Sequence, residues 1–97
     1  MPTNVSLLRY TEQGIRNVKE GPARLDAAKK AFKAAGGELK QFFLLMGHYD
    51  MLVVWDAPDD ETAGKIILAL GSLGNVRTES FRAFPEAEFR KLIAGLP

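Results

Sequence analysis

Two hydrophobic runs, Leu39 to Leu45 and Met51 to Trp55, flank the polar stretch Met46-Gly47-His48-Tyr49-Asp50, and no other feature constrains the fold as strongly. Alternate residues of a strand point to opposite faces. In the second run Met51, Val53 and Trp55 alternate with Leu52 and Val54. In the first, Leu39, Gln41, Phe43 and Leu45 share one face, and Lys40, Phe42 and Leu44 the other. Both strands are therefore apolar on both faces, and such strands are covered on both. The Gly47-His48-Tyr49 connection predicts an antiparallel hairpin with a short glycine-containing loop, with Asp50 at its mouth.

The flanking elements follow from periodicity and capping chemistry. Val5 to Tyr10 carries apolar residues on both alternating sets and predicts the first strand. Thr11 suits a helix N-cap, and a short helical stretch, Glu12 to Lys19, should follow, weakened by Gly14 and ended by Glu20-Gly21-Pro22. Pro22 opens the next helix. There Leu25, Ala28, Phe32 and Ala35 make the apolar stripe, the lysines the wet face and Gly36-Gly37 the stop. Glu38 to Leu45 and Met51 to Trp55 are the second and third strands. Asp59 caps a further helix with Asp60 and Glu61 beside the positive end of its dipole, which accounts for these acids without a metal. Ala63, Ile66, Ile67, Leu70 and Leu73 form its stripe up to the stop at Gly71 to Gly74. Asn75 to Phe84 reads as the fourth strand, and Pro85-Glu86 starts a last helix with Phe89, Leu92 and Ile93 as its contacts.

The order strand, helix, strand, strand, helix, strand matches the ferredoxin-like βαββαβ motif: an α+β sandwich with a four-stranded antiparallel sheet, here with a C-terminal helix added. Helices cover one sheet face in that fold. Since the other face is also apolar, a second copy of the chain is its simplest cover, and a homodimer with sheets packed face to face is expected, with a higher oligomer as the alternative. The 97 residues suit a single domain, 1–97. Thirteen basic and twelve acidic side chains nearly cancel, which argues against nucleic acid and against an anionic membrane as partners. With no cysteine, thiolate chemistry and disulfides are excluded, and the cytoplasm is the expected location. Neither a signal peptide nor a membrane span is read from the sequence.

Several short motifs then occur in one order: Tyr10-Thr11-x-Gln13-Gly14-Ile15-Arg16-Asn17-Val18-Lys19-Glu20, Gly36-Gly37, Met46-Gly47-x-Tyr49-Asp50, Pro58-Asp59-Asp60-Glu61 and Gly74-Asn75-Val76-Arg77-Thr78-Glu79. Together they resemble the GYD-domain family, whose name corresponds to Gly47, Tyr49 and Asp50. The resemblance implies a ferredoxin-like domain of the dimeric α+β barrel type and carries over no catalytic residue. Gly21 stands where relatives tend to have a serine, and glycine is an acceptable cap there.

Two groups of polar residues are candidates for function. His48, the only histidine, with Tyr49 and Asp50 offers acid-base chemistry, against the plainer reading of a solvent-exposed turn whose aspartate accepts backbone N–H groups. Tyr10, Thr11, Gln13, Arg16 and Asn17 form a candidate ligand site whose helix start could present N–H groups, an amide and a guanidinium to an anion, against a capped connector in which Arg16 pairs with Glu20. Arg77 is expected to pair with Glu79, and Arg82 to help line a cavity with Tyr10, Phe43 and Trp55. No phosphate loop is present, and neither a cofactor nor a metal is expected. The function expected is small-molecule binding or sensing by a dimer. The alternatives are a monooxygenase- or isomerase-like enzyme acting on a hydrophobic or aromatic substrate, and a structural assembly module.

Overall fold

Alternating apolar residues become four strands in the structure, a computed structural model that describes residues 1–97: β1 (Thr3–Tyr10), β2 (Glu38–Leu44), β3 (Met51–Asp56) and β4 (Val76–Ala83). They form one antiparallel sheet in the order β2-β3-β1-β4, the ferredoxin-like arrangement expected from the element order. The helices are α1 (Glu12–Arg16), α2 (Gly21–Ala34), α3 (Asp60–Ser72) and α4 (Glu86–Ala94), with a 3₁₀ turn over Val18–Glu20 between the first two. No helix is long and apolar enough to cross a membrane.

The expected helix from Glu12 to Lys19 is thus broken at Asn17. This break also corrects the expected Arg16–Glu20 pair. Arg16 ends α1, so the two residues do not share a continuous helix, and Glu20 instead accepts from Arg24 at 2.8 Å.

A second correction concerns β2. Between Leu39 and Gln41 the register slips by one residue, so that Leu39 opposes Trp55, Phe42 opposes Val53 and Phe43 opposes Leu52. A bulge of this kind switches the side-chain alternation. Phe42 and Leu44, not Phe43, therefore join Leu39 on the helix side of the sheet.

The core sits between the sheet and α2 and α3. Leu8, Phe32, Met51, Val53, Trp55, Ala57, Ala63 and Val76 are buried, with Trp55 at 1% exposure the only large side chain fully enclosed. Phe32 meets its ring edge-on at 5.3 Å. On the opposite face Val5 lies between Val54 and Phe81, Leu7 pairs with Leu52, and Leu52 with Phe43. Phe43 and Phe81 there are each 49% exposed. This second face is contiguous, apolar and uncovered within one chain.

Helix α4 packs on neither face. Phe89, Leu92 and Ile93, its apolar stripe, are about half exposed, and the molecule reaches 52 Å along its longest axis. Its radius of gyration, 14.6 Å, exceeds the roughly 12.5 Å of a compact chain of this length, which reflects the projecting helix.

Asp59 caps α3 as expected, its Oδ1 accepting from Thr62 N at 2.8 Å. These hydrogen bonds hold its carboxyl below the ordinary value near 3.8. A depressed folded pKa means that the stabilisation is present above the unfolded value and is lost as pH falls through the folded one. Asp59→Ala should therefore destabilise the protein at neutral pH, and the difference from wild type should shrink below about pH 3.8 in denaturation curves. A difference that persists at pH 2 would remove the charge from this account.

Candidate functional site

Thr11 starts from a β-strand backbone and ends it by capping α1: its Oγ1 accepts from Gly14 N at 3.0 Å and donates to Gly74 O at 2.6 Å. Thr11 N donates to Asn75 O at 3.1 Å. Gln13 Nε2 donates to Leu73 O at 3.2 Å and to Asn75 Oδ1 at 2.9 Å, and Asn17 Nδ2 to Gln13 O at 3.1 Å. Gly74 adopts φ +81°, a left-handed conformation that suits glycine. The Thr11-x-Gln13-Gly14 and Gly74-Asn75 motifs thus lock onto each other across the chain. The donors that the sequence offered to an anion are spent inside this clasp, while Arg16 stays exposed without an ion-pair partner.

Asp50 extends the sheet. Its N–H donates to Leu8 O at 2.9 Å, its carbonyl accepts from Leu45 N at 2.8 Å and its Oδ2 accepts from Tyr10 N at 2.9 Å. One residue therefore closes the hairpin and ties it to the end of β1. Tyr49 turns the other way, to the uncovered sheet face, where its hydroxyl donates to Glu79 Oε2 at 2.5 Å. Glu79 is consequently the partner of Tyr49 and not of Arg77, a correction that follows from the hairpin loop reaching across the sheet to β4. The Tyr49 ring receives the Arg9 guanidinium at 4.9 Å and stands nearly perpendicular to the His48 ring, with centroids 5.2 Å apart. Arg9 also contacts His48 Nε2.

The hydrogen bond to Glu79 raises the Tyr49 phenol above its ordinary 10.0, with desolvation and the Glu79 charge adding and the Arg9 charge opposing. The sign follows directly: this contact stabilises the fold below pH 10 and is lost as pH rises through the higher folded value. Ultraviolet titration of the phenolate should show an ionisation above pH 10 that Tyr49→Phe removes. A wild-type titration confined to pH 10 and below would contradict the contact.

The other face of the sheet holds a much larger feature. Helix α2 packs on β2 and α3 on β4, the two outer strands, and a cleft of about 790 Å³ opens between the helices above the central strands β3 and β1. Leu8, Tyr10, Met51, Val53, Trp55 and Val76 form its floor, Leu25, Ala28 and Phe32 one wall, Ile66, Ile67 and Leu70 the other. Alanines on the inner side of α2 leave this volume unfilled. Three polar groups of the floor are bonded to one another: Trp55 Nε1 donates to Ser6 Oγ at 2.8 Å, and Ser6 and Ser80 share a hydrogen bond of 2.6 Å.

Of the four residues expected to line a cavity together, Tyr10 and Trp55 do so. Phe43 is carried to the opposite face by the bulge in β2. Arg82 lies at the far end of the sheet, where Nη1 donates to Thr3 O at 3.1 Å, Nη2 reaches Glu88 at 3.4 Å and the guanidinium sits 4.4 Å from the Phe84 ring. It joins β4 to α4. His48 and Tyr49 are absent from the cleft lining, and the Asp50 carboxylate is engaged by the backbone. Arg9, Ser6 and Ser80 were not singled out by sequence reasoning. For Arg9 the signal was present: it is the one charge in the run Leu7-Leu8-Arg9-Tyr10.

Comparison with known proteins agrees with this architecture. A curated relative from Thermus thermophilus, named "Glutamine synthetase and cystathionine beta-lyase binding protein", is 28% identical over 89 residues, covering 91% of this chain and 94% of the relative. The crystal structure of TTHA0845 from the same organism superimposes with a TM-score of 0.54 at 24% identity, covering 89% of this chain and all of that one, a likeness of fold. The model of the GYD domain matches residues 5–93, from the first strand through the last helix. The clasp between Gly14 and Asn75 and the hairpin closed by Asp50 are what its motifs build here, and the chain belongs to the GYD-domain family.

Proposed function

We propose that this chain is a cytoplasmic binding protein that works as a homodimer and takes an apolar or aromatic small molecule into the cleft between α2 and α3. The cleft carries this reading. A volume of about 790 Å³ is within the range of small-molecule sites, and its lining combines large apolar surface with a few hydroxyls. Trp55, the only tryptophan, forms part of the floor, so its fluorescence reports occupancy. Titration with the neutral probe N-phenylnaphthylamine should give a saturable change in Trp55 emission. Ala28→Phe, which fills the cleft from α2, should weaken binding about tenfold, equivalent to roughly 1.4 kcal/mol. A response that does not saturate, or that Ala28→Phe leaves unchanged, would remove the cleft as the site.

Dimerisation rests on the uncovered sheet face of Val5, Phe43, Leu52, Val54 and Phe81, because an apolar surface of this extent is stabilised by a partner. Light scattering at micromolar concentration should give twice the chain mass. A monomer would overturn this part of the reading.

A second reading is favoured by α4, whose stripe of Phe89, Leu92 and Ile93 is about half exposed. A protein partner would cover such a stripe, in keeping with the name of the Thermus relative as a binding protein for two enzymes. Under this reading the chain co-elutes with a glutamine synthetase and Leu92→Asp abolishes co-elution while probe binding in the cleft persists.

A further inference from the structure

Arg9 on β1 stands directly opposite Arg77 on β4. Like charges facing each other across an antiparallel ladder repel, and folded sheets normally separate them or supply an acid between them. Here neither arginine has an acidic partner: the ion pairs of the chain are Arg24–Glu20, Lys40–Asp56, Lys65–Glu61, Arg82–Glu88 and Arg90–Glu86. The nearby acid, Glu79, uses one carboxylate oxygen on the Tyr49 hydroxyl. The Tyr49 ring and His48 hold the Arg9 guanidinium in place without neutralising it.

The two arginines are also not on a flat surface. With Leu7, Tyr49, Thr78 and Glu79 they line a pocket of about 240 Å³ at the loop end of the uncovered sheet face, on the side away from the apolar cleft. Its charge count is two guanidiniums against one carboxylate, a net of +1. That excess matches a monoanion, because a second negative charge would face Glu79 at close range. Planar guanidinium forks suit the two oxygens of a carboxylate, and Leu7 with the Tyr49 ring offers an apolar surface to a short hydrocarbon body.

We infer that this pocket binds a small monocarboxylate, whose oxygens bridge Arg9 and Arg77 while its apolar part lies against Leu7 and the Tyr49 ring. The inference is independent of the cleft, and it assigns a use to the hairpin loop: Tyr49 shapes one wall and His48 orients Arg9.

The test is an amide-resonance titration of the full chain with sodium butyrate, and separately with sodium phosphate, at constant ionic strength. Butyrate should shift the resonances of Leu7, Arg9, Tyr49, Arg77 and Glu79 saturably. Arg77→Gln should weaken this about tenfold or more, since a charge-assisted hydrogen bond is lost. Without butyrate, Arg77→Gln should raise the melting temperature at low salt, because it relieves the repulsion. Non-saturating shifts, equal binding by Arg77→Gln, or a lower melting temperature of that variant would overturn the inference. Tighter binding of phosphate would overturn the monocarboxylate assignment. Loss of self-association in Arg77→Gln with no butyrate response would assign the arginines to a contact between copies and likewise overturn the pocket.

Discussion

Gly14→Ala is expected to lower the unfolding free energy by about 3 kcal/mol, a value in the range of overpacked backbone contacts with loss of their hydrogen bonds. A Cβ at this position would stand 1.9 Å from the Asn75 carbonyl oxygen, far inside any tolerable contact, and the obstacle is backbone that no side-chain rotation can clear. Relief requires α1 to move off the turn before β4. That displacement strains the 2.6 Å bond from Thr11 to Gly74, the 3.1 Å bond from Thr11 to Asn75 and the amide contacts of Gln13. For a domain of this size the loss corresponds to a fall in melting temperature on the order of 15 °C. Gly47→Ala is the control: nothing lies within 4 Å of its Cβ position and its φ is not in the left-handed region, so the change should stay within about 0.5 kcal/mol. Equal melting temperatures for the two variants would refute the clasp.

Trp55→Ala should cost about 4 kcal/mol, in the range for truncating a buried aromatic residue. Trp55 is 1% exposed, packs edge-to-face against Phe32 and donates to Ser6. It is the largest piece of a core that otherwise borders an open cleft, so its removal merges a new void with the existing one. Collapse of α2 toward the sheet would recover only part of the loss. Trp55→Phe keeps most of the apolar contact but removes the N–H donor and part of the ring volume, so it should cost about 2 kcal/mol. Denaturant midpoints measured by far-ultraviolet circular dichroism, which does not depend on the lost fluorophore, separate the two. A loss below about 1 kcal/mol for Trp55→Ala would mean that the helices are held by contacts elsewhere.

Both predictions concern places where distant parts of the chain meet, and there the sequence was least informative. Gly14 reads locally as a weak point in a short helix. Only contact with Asn75 makes it a requirement. Thr11 and Gln13 of the same segment read as ligand donors because their partners, Leu73, Gly74 and Asn75, lie 60 to 63 positions away in the chain. Arg77 and Glu79 were paired because they are neighbours on one strand face, whereas Tyr49 reaches Glu79 from a loop thirty residues earlier in the chain.

The hairpin around Met46 to Asp50 shows the same division within five residues. Its existence and its position between the second and third strands were legible from two apolar runs and a glycine-containing loop. Which way its side chains turn was not. Asp50 faces the end of β1 and completes the ladder, while Tyr49 and His48 cross to the open face and meet Arg9.

Sequence alone determined the order of elements, the caps at Thr11 and Asp59, the glycine stop at Gly36 and the apolar character of both sheet faces, and with them the ferredoxin-like fold and the family. These properties are set by residues within a few positions of one another, through strand alternation, helical period and local hydrogen bonding. Tertiary structure decided the rest. The bulge that exchanges Phe43 for Phe42 at the cleft, the separation of α2 from α3, and the pairing of Arg9 with Arg77 all depend on register and packing between segments far apart in the chain, where one residue of slip redirects every side chain beyond it.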